Sequence, residues 1–138
     1  MKIVAKTDQG KIRKDNQDSF AAGELPGGVV WAVVCDGMGG AAGGSVASQT
    51  AVKMISEKIA SGYQYGMSDK SIKNLLTSVV ESANSSIYEM SCSVESLNGM
   101  GTTVVVSVIR DKELYLVHAG DSRAYRVTKD SITQLTRD

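Results

Sequence analysis

The stretch Val29-Val30-Trp31-Ala32-Val33-Val34-Cys35-Asp36-Gly37-Met38-Gly39-Gly40 decides the fold. Its first seven residues are apolar and rich in β-branched side chains, which predicts a buried strand over 29–35. The preceding residues Glu24-Leu25-Pro26-Gly27-Gly28 have the composition of a turn. Residues 19–23 are therefore expected to form the partner strand of a hairpin.

This hairpin would bring two carboxylates together. Folding residues 19–35 about a turn near Gly27 places Asp18 and Asp36 at the same end of the sheet. Paired carboxylates are what a hard divalent cation needs as ligands. Spacing alone leaves open the alternative that both aspartates are only turn or cap residues.

Downstream patterns predict two helices followed by strands. Apolar side chains recur at three- and four-residue spacing over 46–60 and again over 72–90, which is typical of amphipathic helices. Residues 91–100 are expected to form a loop. Strand-like runs follow at 102–109, 114–119, 123–127 and 132–135. Their short connections favour antiparallel pairing, so the sequence predicts an α+β fold with helices on one face of an antiparallel sheet.

Composition excludes several functional classes. The 138 residues carry 15 basic and 15 acidic side chains, so the formal net charge is zero. A nucleic-acid binder acting through bulk positive charge and a polybasic membrane anchor are both disfavoured. No apolar run approaches the ~20 residues that cross a bilayer, and the apolar stretch near Met1 is too short for a signal peptide. The expected location is the cytoplasm.

The metal-binding residue types are limited. Two cysteines without CxxC spacing and a single histidine argue against a zinc site, so a metal site would use oxygen ligands and favour Mg²⁺, Mn²⁺ or Ca²⁺. Cys35 is expected to be a small buried hydrophobic residue.

The glycine-rich segment after the strand has two interpretations. Gly37, Gly39 and Ala42 match the permissive dinucleotide pattern G-x-G-x-x-G/A, which leaves a nucleotide-binding fold as a weak alternative. No lysine occupies the Walker A position. The glycines also indicate a backbone that approaches a neighbour closely or adopts positive φ.

Three further polar positions are candidates. Arg13 precedes Asp18 closely and is suited to a bidentate grip on a phosphoryl oxygen, although such a charged run is usually a solvated surface. Asp121, in a tight junction between strands, is either a further metal ligand or an Asx-type turn residue. A triad of His118, Asp121 and Ser122 is disfavoured because no G-x-S-x-G elbow surrounds a serine.

The order of these motifs is more specific than any one of them. The motifs are, in order, Arg13…Asn16-Gln17-Asp18, Val34-Cys35-Asp36-Gly37-Met38-Gly39-Gly40, Gly101-Thr102-Thr103, Gly120-Asp121-Ser122-Arg123-Ala124-Tyr125 and Leu135-Thr136-Arg137-Asp138. This series closely resembles the metal-dependent serine/threonine protein phosphatases, the protein phosphatase 2C or PPM family, in its bacterial form.

The resemblance implies an α-β-β-α sandwich of antiparallel sheets and a site with two or three Mg²⁺ or Mn²⁺ ions. Asp36 matches the bridging carboxylate, the carbonyl of Gly37 a further ligand, and Asp18 the acidic residue that supports the centre. Arg13 matches the phosphate-binding arginine and Asp121 the aspartate linked to a third, weaker metal. The implied reaction is hydrolysis of phosphoserine and phosphothreonine by a metal-activated water. The implied partners are phosphorylated proteins, such as the products of a serine/threonine kinase.

Two departures from the family pattern concern single side chains. Met38 stands where many eukaryotic members have a histidine, and Gln17 where some members have a glutamate.

A further departure concerns length. The family's Leu-Thr-x-Asp-His motif is interrupted after Asp138, so the resemblance implies that residues 1–138 are the N-terminal portion of a single catalytic domain and are inactive alone. The alternative is a non-catalytic, phosphatase-like binding or interaction module. Exposed apolar faces and strand edges would favour self-association or domain swapping.

Overall fold

The computed structural model describes residues 1–40 and 43–138, so Ala42 of the dinucleotide-like pattern lies outside the described residues. Within these ranges, residues 1–17 have no regular secondary structure and lead into two helices and seven strands. No helix among them is long and apolar enough to cross a membrane. The helices are α1 (Gly43–Gly62) and α2 (Asp69–Ser93). The strands are β1 (Asp18–Leu25), β2 (Val29–Met38), β3 (Gly101–Thr102), β4 (Val104–Arg110), β5 (Glu113–Ala119), β6 (Tyr125–Val127) and β7 (Ile132–Gln134).

The predicted hairpin is confirmed and is longer than expected. β1 pairs with β2 from Leu25↔Val29 beside the turn to Asp18↔Asp36 at the open end. Gly27 and Gly28 in the turn have φ of +84° and +75°, a region that side chains other than glycine rarely occupy.

The main sheet is antiparallel throughout its described pairs. Its order is β1-β2-β4-β5, and β3 pairs with the end of β2 beside β4. A dinucleotide-binding fold requires a parallel strand after the first strand–helix unit. The nucleotide-binding alternative is therefore wrong, because the strand that follows the helices runs antiparallel to β2.

One face of the sheet packs against both helices and forms the core. Alternate side chains of β2, including Val33 and Cys35, are fully buried. Ile55 of α1 and Leu76 of α2 cover them, in keeping with the three- and four-residue spacing of the helix patterns. Burial raises the pKa of Cys35 to about 11, which keeps its thiol protonated and confirms its role as a small hydrophobic residue.

The opposite face of the sheet is also apolar but is partly open to solvent. Phe20 and Val34 are cross-strand partners, and they remain 42% and 48% exposed. Val105 continues the same row in β4, beside Val34. The predicted α+β class, with helices on one face of an antiparallel sheet, is confirmed. The main sheet and the two helices form one β layer and one α layer of the expected sandwich.

Two segments differ from the sequence-based expectation. The loop expected over 91–100 begins later, because α2 continues to Ser93 and a 3₁₀ turn follows at Glu95–Leu97. The strand expected over 123–127 begins only at Tyr125 and pairs with β7 in a separate two-stranded ribbon. The ladder stops before Tyr125 because the Ala124 amide donates to the Thr136 side-chain oxygen, Oγ1, at 3.2 Å and not to a backbone carbonyl.

The end of the sheet remote from Asp36 is held by a polar cluster. The Arg110 guanidinium lies 2.7 Å from Asp69 Oδ1 at the start of α2. The Tyr115 hydroxyl donates to Asp69 and lies 2.9 Å from Glu113 Oε2. These contacts tie β4 and β5 to the connection between the helices.

Candidate metal and phosphate site

The two motif aspartates face each other across the hairpin. Asp18 and Asp36 are direct partners in the β1–β2 register, as the sequence predicts. Although Asp36 is exposed as a residue, partial burial of its carboxyl is the largest cause of a raised pKa. A hydrogen bond with Asp18 and the charges of Asp18 and Asp121 raise the pKa further, whereas the charge of Arg13 lowers it. The four side chains that the sequence singles out therefore share one electrostatic environment.

Arg13 lies with this pair in one open cleft. The cleft has a volume of about 520 Å³ and is bounded by residues of the N-terminal segment and by the end of the hairpin. Gln9 supports the segment by donating from Nε2 to the carbonyl of Arg13, at 2.8 Å. The lining residues are Asp8, Gln9, Arg13, Lys14, Asp15, Asn16, Gln17, Asp18, Asp36, Gly37 and Gly39.

Gly37 is glycine because helix α1 begins directly against it. A Cβ at this position would lie 2.0 Å from the carbonyl oxygen of Gly44 and 2.9 Å from that of Gln17. The Gly37 amide donates to the Gln17 carbonyl at 3.0 Å. The close backbone approach that the glycine-rich segment predicts is thus confirmed at this residue.

A buried serine joins the helix to the strand that carries Asp18. Ser48 of α1 is fully buried, and its hydroxyl donates to the Gln17 carbonyl at 2.7 Å. The same hydroxyl lies 3.1 Å from Ser19 Oγ. The first turns of α1 therefore contact both chain neighbours of Asp18. The pattern at 46–60 predicts this helix but gives no sign that Ser48 has this role.

Asp121 lies in the turn that follows β5. Gly120 of that turn has a φ of +99°, and a Cβ there would lie 2.8 Å from the Thr103 Cγ2 methyl. The neighbouring Ser122 hydroxyl is 2.6 Å from Thr103 Oγ1. Thr103 itself is 3% exposed and accepts a hydrogen bond from the Asp36 amide. The sequence singles out the Gly101-Thr102-Thr103 motif but does not reveal that Thr103 connects strand β2 at Asp36 to the turn that carries Asp121.

The hydrolase triad is not formed. His118 Nε2 lies 3.0 Å from the Arg137 carbonyl oxygen, and the Ser122 hydroxyl is engaged with Thr103. The histidine on β5 therefore contacts the backbone of the C-terminal segment, and the disfavoured triad is absent from the described residues.

The donor set suits a hard divalent cation. Asp18 and Asp36 supply carboxylate oxygens at adjacent strand ends, and their mutual repulsion is the kind that a cation relieves. Among the described residues, no group of three His, Cys, Asp or Glu side chains converges closely enough to enclose an ion. The described residues thus supply two neighbouring carboxylates, with an arginine in the same cleft.

The structure is thus an α+β protein with an antiparallel sheet, helices on one face, and two paired aspartates in one cleft with an arginine. The family model described as protein phosphatase 2C matches residues 11–138, and the chain belongs to this family.

Similar proteins agree with this assignment. The serine/threonine phosphatase Stp of Listeria innocua is 33% identical over 133 residues, which cover 96% of the chain and 52% of that protein. The chain thus spans about half the length of this curated relative. The structure of the Streptococcus agalactiae serine/threonine phosphatase has a TM-score of 0.87 at 32% identity and covers 96% of this chain and 54% of that one. The PstP catalytic domain, in complex with two manganese ions, has a TM-score of 0.81 at 33% identity, with 96% and 54% covered.

Proposed function

We propose that the protein containing this chain hydrolyses phosphoserine and phosphothreonine in other proteins, with Mg²⁺ or Mn²⁺ as its cofactor. The observation that carries the proposal is the Asp18–Asp36 pair at one sheet end with Arg13 in the same cleft. Family membership and the serine/threonine phosphatases among its relatives support the same reaction.

Each site residue has a defined task in this proposal. Asp36 and Asp18 hold the cations with their carboxylates, the carbonyl of Gly37 adds an oxygen, and Asp121 serves a third, weaker cation. Bound divalent cations lower the pKa of a water and offset charge on the phosphoryl oxygens. Arg13, which lines the same cleft, binds the phosphoryl oxygens and orients the group. The free thiols, Cys35 and Cys92, suit the reducing cytoplasm as the site of action.

The test uses the complete gene product with Mn²⁺ and a phosphothreonine peptide, with phosphate release as the readout. We expect Asp36→Asn to lower kcat/KM by about 100-fold or more, because the charge that holds the cation is lost. Arg13→Ala should lower kcat/KM by about 10- to 100-fold. Asp130→Asn, in the exposed turn before β7, is the matched control and should leave turnover unchanged. A complete gene product that leaves both the peptide and p-nitrophenyl phosphate intact would contradict the proposal.

The second candidate function is a non-catalytic, phosphatase-like binding module formed by residues 1–138 alone. What favours it is the limited ligand set, since the described residues offer no group of three converging side-chain ligands. The first candidate takes residues 1–138 as the N-terminal portion of a single phosphatase domain, whereas the second takes them as a module that acts on its own. Metal-dependent turnover by the purified 138-residue polypeptide would exclude this second function and the expectation that the chain alone is inactive.

We also propose that the 138-residue polypeptide self-associates through the outer face of its sheet. Phe20, Val34 and Leu114 are each more than two-fifths exposed on or beside that face. Apolar surface of this kind, next to the edge strand β1, tends to pair with another chain. Phe20→Ser should shift the polypeptide towards monomer in light scattering. A clean wild-type monomer at high concentration would contradict this proposal.

A further inference from the structure

The backbone hydrogen bonding between β2 and the neighbouring strands β3 and β4 becomes irregular opposite Asp36. On one side, Val34 pairs with Val105 of β4, and on the other, Gly37 pairs with Thr102 of β3. Between them, the Thr103 amide donates to the Asp36 carbonyl at 3.0 Å, as in an ordinary ladder. In a regular antiparallel pair, the Asp36 amide would donate back to a backbone carbonyl. It donates instead to the Thr103 side-chain oxygen, Oγ1, at 2.9 Å.

The displaced backbone carbonyl has its own partner. The Thr102 hydroxyl donates to the Thr103 carbonyl at 2.9 Å. The strand is therefore interrupted between β3 and β4 without loss of hydrogen bonding. The interruption places a buried hydroxyl, rather than a carbonyl, directly behind Asp36.

This hydroxyl also contacts the turn that carries Asp121. Thr103 Oγ1 lies 2.6 Å from Ser122 Oγ, a short hydrogen bond between two hydroxyls. The Thr103 methyl lies where a Cβ on Gly120 would collide with it, so the turn packs directly on this side chain. One side chain thus contacts the residues on both sides of Asp121 and the backbone of Asp36.

We propose that Thr103 and Ser122 are a positioning pair that sets the separation of the Asp36 and Asp121 carboxylates, and through it the affinity of the site for divalent cations. The inference rests on the proposed function in assigning these carboxylates to cations. Buried partners that orient ligands typically change metal affinity by about 10- to 100-fold when removed.

The central experiment compares Thr103→Val with Thr103→Ser in the complete gene product. Valine keeps the volume and a methyl towards Gly120 but leaves the Asp36 amide without its acceptor, whereas serine keeps the acceptor. We expect Thr103→Val to weaken Mn²⁺ binding, measured by isothermal titration calorimetry, by about tenfold. We expect faster hydrogen exchange at the Asp36 amide in the same variant. In Thr103→Ser, the Mn²⁺ affinity and the exchange rate of the Asp36 amide should both stay within about twofold of wild type.

A second variant tests the same pair if Thr103→Val does not fold. Ser122→Ala removes the contact to the Asp121 turn and leaves the Thr103–Asp36 bond in place. It should weaken Mn²⁺ binding without changing exchange at the Asp36 amide. Wild-type Mn²⁺ affinity in folded Ser122→Ala, or in folded Thr103→Val, would overturn the proposal. Both readouts are independent of turnover, so a complete gene product without phosphatase activity would refute the proposed function and leave this inference testable.

Discussion

The sharpest structural prediction concerns Gly37. In Gly37→Ala, the new methyl carbon would lie 2.0 Å from the Gly44 carbonyl oxygen, 2.5 Å from the Gly44 carbonyl carbon and 2.9 Å from the Gln17 oxygen. All three atoms belong to backbone, and none can rotate away as the end of a side chain would. Relief therefore requires β2 and the start of α1 to separate by roughly 1 Å or more, which is an overpacking defect.

The expected cost follows from what this separation disturbs. Overpacking of this kind typically costs about 1–3 kcal/mol, and the Gly37 amide would also lose its alignment with the Gln17 carbonyl. For a chain of this size, we expect a melting temperature about 5–12 °C below wild type, since 1 kcal/mol corresponds to roughly 3–5 °C.

Thermal unfolding followed by circular dichroism measures the effect. Gly40→Ala is the matched control, because a Cβ there meets nothing within 4 Å. It should melt within about 1–2 °C of wild type. A Gly37→Ala protein that melts at the wild-type temperature would show that β2 and the start of α1 are not in backbone contact at this residue.

The remaining predictions concern a buried hydroxyl, two thiols and an acid-sensitive cluster. Ser48→Ala should lower the free energy of unfolding by about 1–2 kcal/mol in urea titrations, because the Gln17 carbonyl loses a buried donor; Ser56→Ala, whose hydroxyl contacts only its own helix, should cost far less. Iodoacetamide at pH 8 should modify the exposed Cys92 and spare Cys35, because Cys35 is buried and its pKa is raised to about 11. Intact mass spectra that show labelling of Cys35 in the native protein would contradict the packing of β2. The Tyr115 hydroxyl and the Arg110 guanidinium lower the pKa of Asp69 below its ordinary value of 3.8. The stability that ionised Asp69 contributes is therefore full above about pH 4 and is lost as the pH falls through the lowered pKa. Asp69→Asn should flatten the pH dependence of stability below pH 4, and an unchanged acid-unfolding profile would refute this role.

Features set by local patterns could be predicted from the sequence. The apolar run ending at Cys35 and the Pro26-Gly27-Gly28 turn determine the hairpin and its register, and the register alone places Asp18 opposite Asp36. Helical periodicity marks α2 because its buried residues, from Ile72 to Ile87, follow one face.

Features that depend on contacts between distant segments could not be predicted. The change from a backbone to a side-chain acceptor at Thr103 depends on the turn at Gly120, which lies on another strand connection. Ser48 is one of several serines in its helix, and only the tertiary approach of β1 gives it a partner. Arg13 lies in a charged run that also suits a solvated surface, and only the cleft distinguishes the two.

The hairpin register has a consequence for how the site tolerates insertions. Asp18 and Asp36 are paired through a ladder of eight residues per strand, and the turn lies at the opposite end of that ladder. At about 3.3 Å per residue, the turn is roughly 25 Å from the carboxylates. One residue added beside Gly27 would nonetheless shift one strand against the other and turn one aspartate to the far face of the sheet. The length of the turn thus determines, through the register of the hairpin, whether the two carboxylates lie opposite each other.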